Sequence, residues 1–350
     1  MLIEENKQLA PFTTFGIGGP ARWFCESTTE DEIVEAAAWA AERGVPLFVL
    51  GGGSNLLVSD VGFDGLVLKV GLLGIAAEDT DDGRRIYRVG AGESWDHCVE
   101  RTTEENCAGI ECLAGIPGTV GGTPVQNVGA YGQEVSTAIA RVRVYDLEQC
   151  SFVEFTAGEC GFAYRHSRFN SVDRGRYIVT RVDYRLTPGG APTLRYGDLQ
   201  RALAERAQTE GRELSLVEVA ALVRRVRKSK GMCMVEGDPD CQSAGSFFKN
   251  PVVDEELAIQ IAAIAGKEPP RYTAGLGQVK LPAAWLIEQA SFAKGYMLGS
   301  AGISSRHTLA LINRGGATAA EVLALAEQII ATVDARFAVH LVMEPVRVGF

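Results

Sequence analysis

Apolar positions recur at helical spacing through residues 27–44, with Ile33, Ala37, Ala40 and Ala41 expected on one face. Thr29 and Glu32 stand at capping-box spacing, and Gly44 falls where a helix-ending glycine belongs. A short apolar run at 45–50 then reads as a strand, followed by a glycine turn and two further strands at 56–59 and 65–70. From about 84 to 186 short apolar or alternating runs (85–89, 140–145, 152–155, 177–186) separated by glycines predict a mostly stranded region. Helical patterning returns at 215–230, with Ser215 and Glu218 as its box, and again near 254–265 and 283–290. The longest helix is predicted over 318–337, with Thr318/Glu321 as box and Val322, Leu325, Ile329, Ile330, Val333 and Phe337 along one stripe. The run 340–348 reads as a strand returning to the earlier sheet.

At 350 residues the chain suggests more than one core. We expect three parts: 1–70 together with 339–350, 71–230, and 231–338. Hydrophobic residues at 46% and charged residues at 22% are ordinary globular proportions. A net charge of −10 argues against a nucleic-acid binder, although a local basic pocket can still take an anionic substrate. The amino terminus lacks the basic-then-apolar pattern of a secretory signal, and no apolar run approaches a membrane span. The eight cysteines are scattered with no CxxC, which fits free thiols in a reducing cytoplasm and gives no support for a metal.

Two glycine-rich stretches carry the candidate chemistry. Residues 50–55 (Leu50, Gly51, Gly52, Gly53, Ser54, Asn55) follow a predicted strand, where glycines let the backbone approach a diphosphate; a tight structural turn is the plainer reading. The stretch is neither a Walker loop nor a GxGxxG motif. Residues 115–132 hold six glycines and two prolines, too many for helix or strand. The short polar residues Thr119, Thr123, Gln126 and Asn127 suit a ring edge or a phosphate. The interspersed Ile116, Val120, Val125, Val128 and Tyr131 want burial, which separates the stretch from a flexible linker.

TTFGIGGPA (13–21), LGGGSNLL (50–57), AGIPGTVGGTPVQNVGAYG (114–132), YRHSRF (164–169), RYGDL (195–199), AGSFFKNP (244–251), VKLPAAWLIEQ (279–289) and MEPVR (343–347) together resemble the UDP-N-acetylenolpyruvoylglucosamine reductase family. The likeness runs nearly end to end in order, and RYGDL is similar to the family's first type, with an extra loop over the substrate. The resemblance implies an α+β chain: a vanillyl-alcohol-oxidase-like FAD-binding fold of two α/β subdomains plus an α+β substrate-binding domain. It implies non-covalent FAD as cofactor, NADPH as co-substrate, and UDP-N-acetylglucosamine enolpyruvate as the substrate reduced. It further implies a cytoplasmic enzyme, here expected to be a monomer.

The family's cofactor positions map onto residues 50–55 and onto Gly115, Gly118, Thr119, Gly122, Thr123, Gln126, Asn127, Gly129 and Ala130. Its catalytic arginine, serine and glutamate match Arg165, Ser246 and Glu344. Hydride addition to an enol ether conjugated with a carboxylate builds charge on that carboxylate, which an arginine fork can hold. The glutamate is expected at the end of an apolar strand with a raised pKa, assisting the arginine; the serine is expected to deliver a proton. Taken alone, the three residues would also suit a strand-end ion pair, a helix cap and an edge glutamate. Tyr196 matches a loop tyrosine over the nucleotide, and Lys230, Asn250 and Lys280 match positions at the diphosphate and uridine. The other basic residues at 224–228 read as ordinary dipole compensation in a last helical turn. The stretch 231–243, with two cysteines and three acids, is longer than the family pattern, and Pro282 replaces a small residue. The alternatives are a flavin oxidase or 2-hydroxy-acid dehydrogenase on the same fold, with His97-Cys98 as an imaginable attachment pair, and a binding protein that has lost catalysis.

Overall fold

The computed structural model describes residues 1–193, 206 and 211–350. Its Cα packing forms two units: residues 1–7, 21–52 and 64–228 make the first, and residues 8–20, 53–63 and 229–350 the second.

The first unit begins with a four-stranded sheet in the order Glu4–Gln8, Pro20–Ser27, Phe63–Val70, Leu47–Leu50. Leu47–Leu50 and Phe63–Val70 run parallel. The helix Glu30–Arg43 starts where the Thr29 hydroxyl accepts the Glu32 amide and stops at Gly44, whose φ of 60° is the left-handed conformation that glycine adopts without strain. It buries Ile33, Ala36, Ala37 and Ala40. Ala41, expected on that face, is exposed; at about 100° per residue it lies roughly 80° around from Ile33, off the stripe. Among the described residues no helix is long and apolar enough to cross a membrane.

A second, antiparallel sheet orders Ser151–Thr156, Ile139–Asp146, Tyr177–Pro188, Arg85–Gly90 and Ile75–Asp79, with Cys107–Ala108 added at the end of the long central strand. Val142, Val144, Val182, Tyr184, Tyr87 and Val89 are buried from this sheet into the unit's core. There the helix Trp95–Glu104 seats Trp95 against Tyr184, ring centroids 5.6 Å apart. A cavity on this sheet is lined by Arg88, Arg141, Arg181, Glu154 and Asp183. Several of its charges pair with one another, as in Arg181–Asp183 at 2.7 Å, and neither glycine loop contributes to its lining.

The second unit packs the helices Glu255–Ala265, Ala283–Gln289 and Ala319–Phe337 with two three-stranded sheets. The long helix carries the expected box, with the Thr318 hydroxyl and Glu321 carboxylate each accepting the other residue's amide, and it buries Val322, Leu325, Ile329, Val333 and Phe337. Continuous strand over 340–348 does not form. Met343 makes a single bridge to Phe248, and only Val346–Val348 is strand, parallel to Leu56–Val58 in a two-stranded sheet of its own. Pro345 is the reason: it has no N–H to continue the ladder, so pairing changes partner across it.

Residues 231–243 fold onto residues 304–314. Asp240 is 2 % exposed and accepts from Ser305, from Arg306 Nε at 3.1 Å and from Arg314 Nη2 at 3.2 Å, while Asp238 takes the other end of Arg306. Burial would push the Asp240 carboxyl up, but the Ser305 bonds and the two guanidinium groups outweigh it and hold it below the usual aspartate value. A depressed pKa stabilises the fold above about pH 3.9, the ordinary aspartate value, and that contribution is lost as pH falls through the folded value. Asp240→Asn is therefore expected to cost about 3 kcal/mol near neutrality, the low end for breaking a buried pair because the arginines are partly wet. In urea unfolding the gap from the parent should narrow below about pH 4; a gap unchanged down to pH 2 would refute the account.

Candidate active site

The strand Leu47–Leu50 delivers the chain into Gly51 and Gly52, with Leu50 itself buried at 2 % exposure. A Cβ on Gly52 would lie 2.5 Å from Gly118 Cα, and one on Gly51 would lie 2.8 Å from Thr119 Oγ1. Within the first unit the two glycine stretches thus meet backbone to backbone, an approach open only to glycine. In the second unit Gly53, at φ +62°, packs on the Phe12 carbonyl, where a Cβ would collide at 1.8 Å. Ser54 is half-buried in the turn. Asn55 Nδ2 donates to the Glu344 carbonyl at 3.3 Å, and the Asn55 carbonyl accepts the Val346 amide.

Residues 115–132 are ordered by partners outside the stretch. The Gly115 amide donates to Asp96 at 2.7 Å and its carbonyl accepts Arg227 Nε at 3.0 Å; the Gly118 carbonyl accepts the Trp95 amide at 3.1 Å. A single turn at Val120–Gly122 follows, with Gly122 open to solvent. Thr123 turns inward, its hydroxyl on the Val120 carbonyl and 2.6 Å from the Tyr184 hydroxyl. Gln126 is half-buried, and the Asn127 side chain is enclosed. Gly129–Ala130 and Gln133–Glu134 form a hairpin with Tyr131 and Gly132 both at positive φ, the twist that suits a two-residue turn.

These loops fit a flavin. Thr119 Oγ1 is buried with no hydrogen-bond partner among the described residues, beside a backbone surface kept bare by Gly51, Gly52 and Gly118. A Cβ would fill that surface at Gly51 and Gly52, whereas one at Gly122 would meet nothing within 4 Å. Thr123 and Asn127 instead spend their side chains inside the protein and hold the loop's shape.

Arg165 sits at the corner of a two-residue turn whose flanks, Ala163 and His166, exchange backbone hydrogen bonds. Its φ is +53°, and its Nη2 and Nη1 donate to the carbonyls of Gly129 at 3.0 Å and Asn127 at 3.5 Å. In the second unit the Glu344 amide donates to the Phe247 carbonyl at 2.9 Å, and the Lys249 amide to Val342 at 2.9 Å. This short antiparallel pairing sets the segment that starts at Ser246 alongside Glu344; both residues are half-buried. Asn250 Oδ1 accepts the Ala283 amide at 2.9 Å and so caps the helix Ala283–Gln289. Lys280 lies on the strand Gln278–Lys280 opposite Val252, and Lys230 follows the helix Leu216–Ser229. Tyr196 lies outside the described residues.

Two contributors were not separable in the sequence. Arg227 is 7 % exposed on the Gly115 carbonyl, and Arg224 pairs with Asp96 at 2.9 Å, so the basic turn of that helix grips the glycine loop as well as meeting the helix dipole. The signal was helical spacing: positions 224 and 227 share a face, but five basic residues in seven positions masked it. His97 is exposed, whereas Cys98 is fully buried. Burial pushes the thiols of Cys98, Cys112 and Cys160 up to about 12, far from the thiolate that covalent attachment needs.

Residues 21–154 match the FAD binding domain family, and the chain is a flavin-binding oxidoreductase of mixed α/β construction. Residues 238–348 match the family described as UDP-N-acetylenolpyruvoylglucosamine reductase, C-terminal domain. The enzyme of that name from Streptomyces coelicolor is 46 % identical over 353 residues, covering 99 % of this chain and 90 % of that one. Its counterpart from Thermobifida fusca is 45 % identical over 352 residues, covering 99 % and 98 %. The crystal structure of the UDP-N-acetylenolpyruvylglucosamine reductase (MurB) from Thermus caldophilus superposes with a TM-score of 0.67 at 27 % identity over 99 % of both chains. The chain belongs to the UDP-N-acetylenolpyruvoylglucosamine reductase family.

Proposed function

We propose that this chain reduces UDP-N-acetylglucosamine enolpyruvate to UDP-N-acetylmuramate at the expense of NADPH, in peptidoglycan precursor synthesis. FAD, when bound, would supply the redox chemistry that links NADPH oxidation to reduction of the enol ether. The residues of the chain do the rest. Arg165 grips the substrate carboxylate, where charge accumulates as the hydride arrives. Glu344, protonated, donates to the same carboxylate and assists that polarisation. Ser246 Oγ gives a proton to the neighbouring carbon, completing the lactyl ether. The pairing of 247–249 with 342–344 supports this assignment, since it sets Ser246 and Glu344 on adjoining segments of one unit.

Lys230, Asn250 and Lys280 are proposed to hold the diphosphate and uridine, with Tyr196 closing over the nucleotide. The flavin is assigned to parts 1–70 (with 339–350) and 71–230, and the substrate to 231–338. The enzyme is proposed to act as a monomer in the cytoplasm.

Anaerobic reduction of the yellow protein by NADPH, followed by the enolpyruvyl substrate, tests the reading. Bleaching and then full return of the oxidised flavin bands is expected. Bleaching without return would reject the substrate, and a protein purified without flavin would reject the chemistry.

A further inference from the structure

We propose that Asn127 is a positioning residue for Arg165, bonding the hairpin that carries the guanidinium to the glycine-rich loop; this rests on the catalytic role proposed for Arg165. The hairpin corner is short. Ala163 and His166 exchange backbone bonds of 3.0 and 3.1 Å, leaving Tyr164 and Arg165 to turn the chain. Arg165 does so at φ +53°, a conformation that a side chain larger than glycine rarely adopts. Such a corner keeps its shape only when its surroundings over-determine it.

Asn127 holds both its base and its tip. Its Nδ2 donates to the Ala163 carbonyl at 3.1 Å and to Glu134 at 2.9 Å, and its Oδ1 accepts the Ser136 amide at 3.1 Å. Its main-chain carbonyl accepts Arg165 Nη1, while Gly129, two residues on, accepts Nη2. Asn127 is 1 % exposed and itself sits at φ +47°, which asparagine tolerates better than most residues. Glu134 completes the device by fixing which end of the amide carries the donors: a carboxylate there demands the NH2 group. The fork is thus clamped at two carbonyls, and the backbone that bears it is clamped at Ala163.

Asn127→Asp tests this. It is nearly isosteric and suits the same backbone, but it cannot donate to Ala163 and sets a second carboxylate beside Glu134. Flavin reoxidation by the enolpyruvyl substrate is expected to slow about 10- to 100-fold, the scale of a sub-ångström to ångström misplacement. Flavin reduction by NADPH, which brings no enolpyruvyl carboxylate, and FAD content should stay at the parental level. Amide exchange at Ala163 and His166 should accelerate in the variant, with no change along Tyr177–Pro188. Adding Glu134→Gln relieves the carboxylate pair but leaves the Ala163 carbonyl without its donor, so reoxidation should stay slow. Should Asn127→Asp not accumulate folded, Asn127→Gly, at ease at positive φ, should give the same selective loss.

Parental reoxidation in Asn127→Asp, alongside a slow Arg165→Ala, would overturn this proposal alone. Equal loss in both half-reactions with unchanged exchange at Ala163 and His166 would overturn it in favour of cofactor binding. Parental reoxidation in Arg165→Ala would overturn the role of Arg165 and this inference with it.

Discussion

Arg165→Ala is expected to lower the rate at which substrate reoxidises the flavin by at least hundredfold while leaving reduction by NADPH in place. The asymmetry follows from where charge develops. Hydride addition to the enolpyruvyl group loads electron density onto a carboxylate that NADPH does not carry. A preorganised contact to such charge is typically worth ~2.7–4 kcal/mol of barrier. The structure gives Arg165 the preorganisation, with two main-chain carbonyls receiving its fork at 3.0 and 3.5 Å. Arg165→Lys keeps the charge but loses the planar fork and should recover only part of the rate. Stopped-flow absorbance of each half-reaction, run separately without oxygen, is the measurement. Equal slowing of both would assign Arg165 to the flavin instead.

The second large effect is expected at Gly52. A single methyl there would have its carbon 2.5 Å from Gly118 Cα and 2.9 Å from the Thr119 amide nitrogen, both rigid main chain. Overpacking of that kind costs about 1–3 kcal/mol in a well-packed site. In Gly52→Ala it should be relieved by separating the two glycine stretches, the surfaces assigned to the flavin. FAD affinity should fall by tenfold or more, as RT ln of that ratio is about 1.4 kcal/mol, while far-ultraviolet dichroism stays parental. Gly158→Ala is the control, since a Cβ there meets nothing within 4 Å. Titration of deflavinated protein with FAD decides it, and parental affinity in Gly52→Ala would remove the 51–52 turn from the cofactor site.

Most of the helices were legible because each carries its own punctuation. The Ser215 and Thr318 boxes and the Gly44 stop are local signals that act in the structure as read, while at Thr29 only half the box forms, because the Glu32 carboxylate accepts the Thr28 amide instead. The last strand misled for an equally local reason, because hydrophobic alternation outvoted Pro345. The polar residues of the glycine-rich loop were legible as a group, but their directions were not. Thr119 and Thr123 look alike in sequence, yet Thr123 bonds the buried Tyr184 hydroxyl while Thr119 keeps a hydroxyl without a partner among the described residues. That difference depends on a strand some sixty residues away in the chain, 61 by number, which no window of local sequence contains. The 231–243 stretch was opaque likewise, since its partners Ser305, Arg306 and Arg314 lie far downstream.

The parallel pairing of Leu56–Val58 with Val346–Val348, and the bond from Asn55 to Glu344 across 289 residues, have a consequence for synthesis of the protein. At about 5–20 residues per second, ribosomes take roughly 15–60 s to traverse that interval. Throughout it the Leu56–Val58 edge emerges ahead of the strand that covers it. The second unit draws on residues 8–20 and 53–63, so it cannot close until its last segment has left the exit tunnel. Slow translation late in the message would prolong the time this apolar edge is open to chaperones or to other nascent chains.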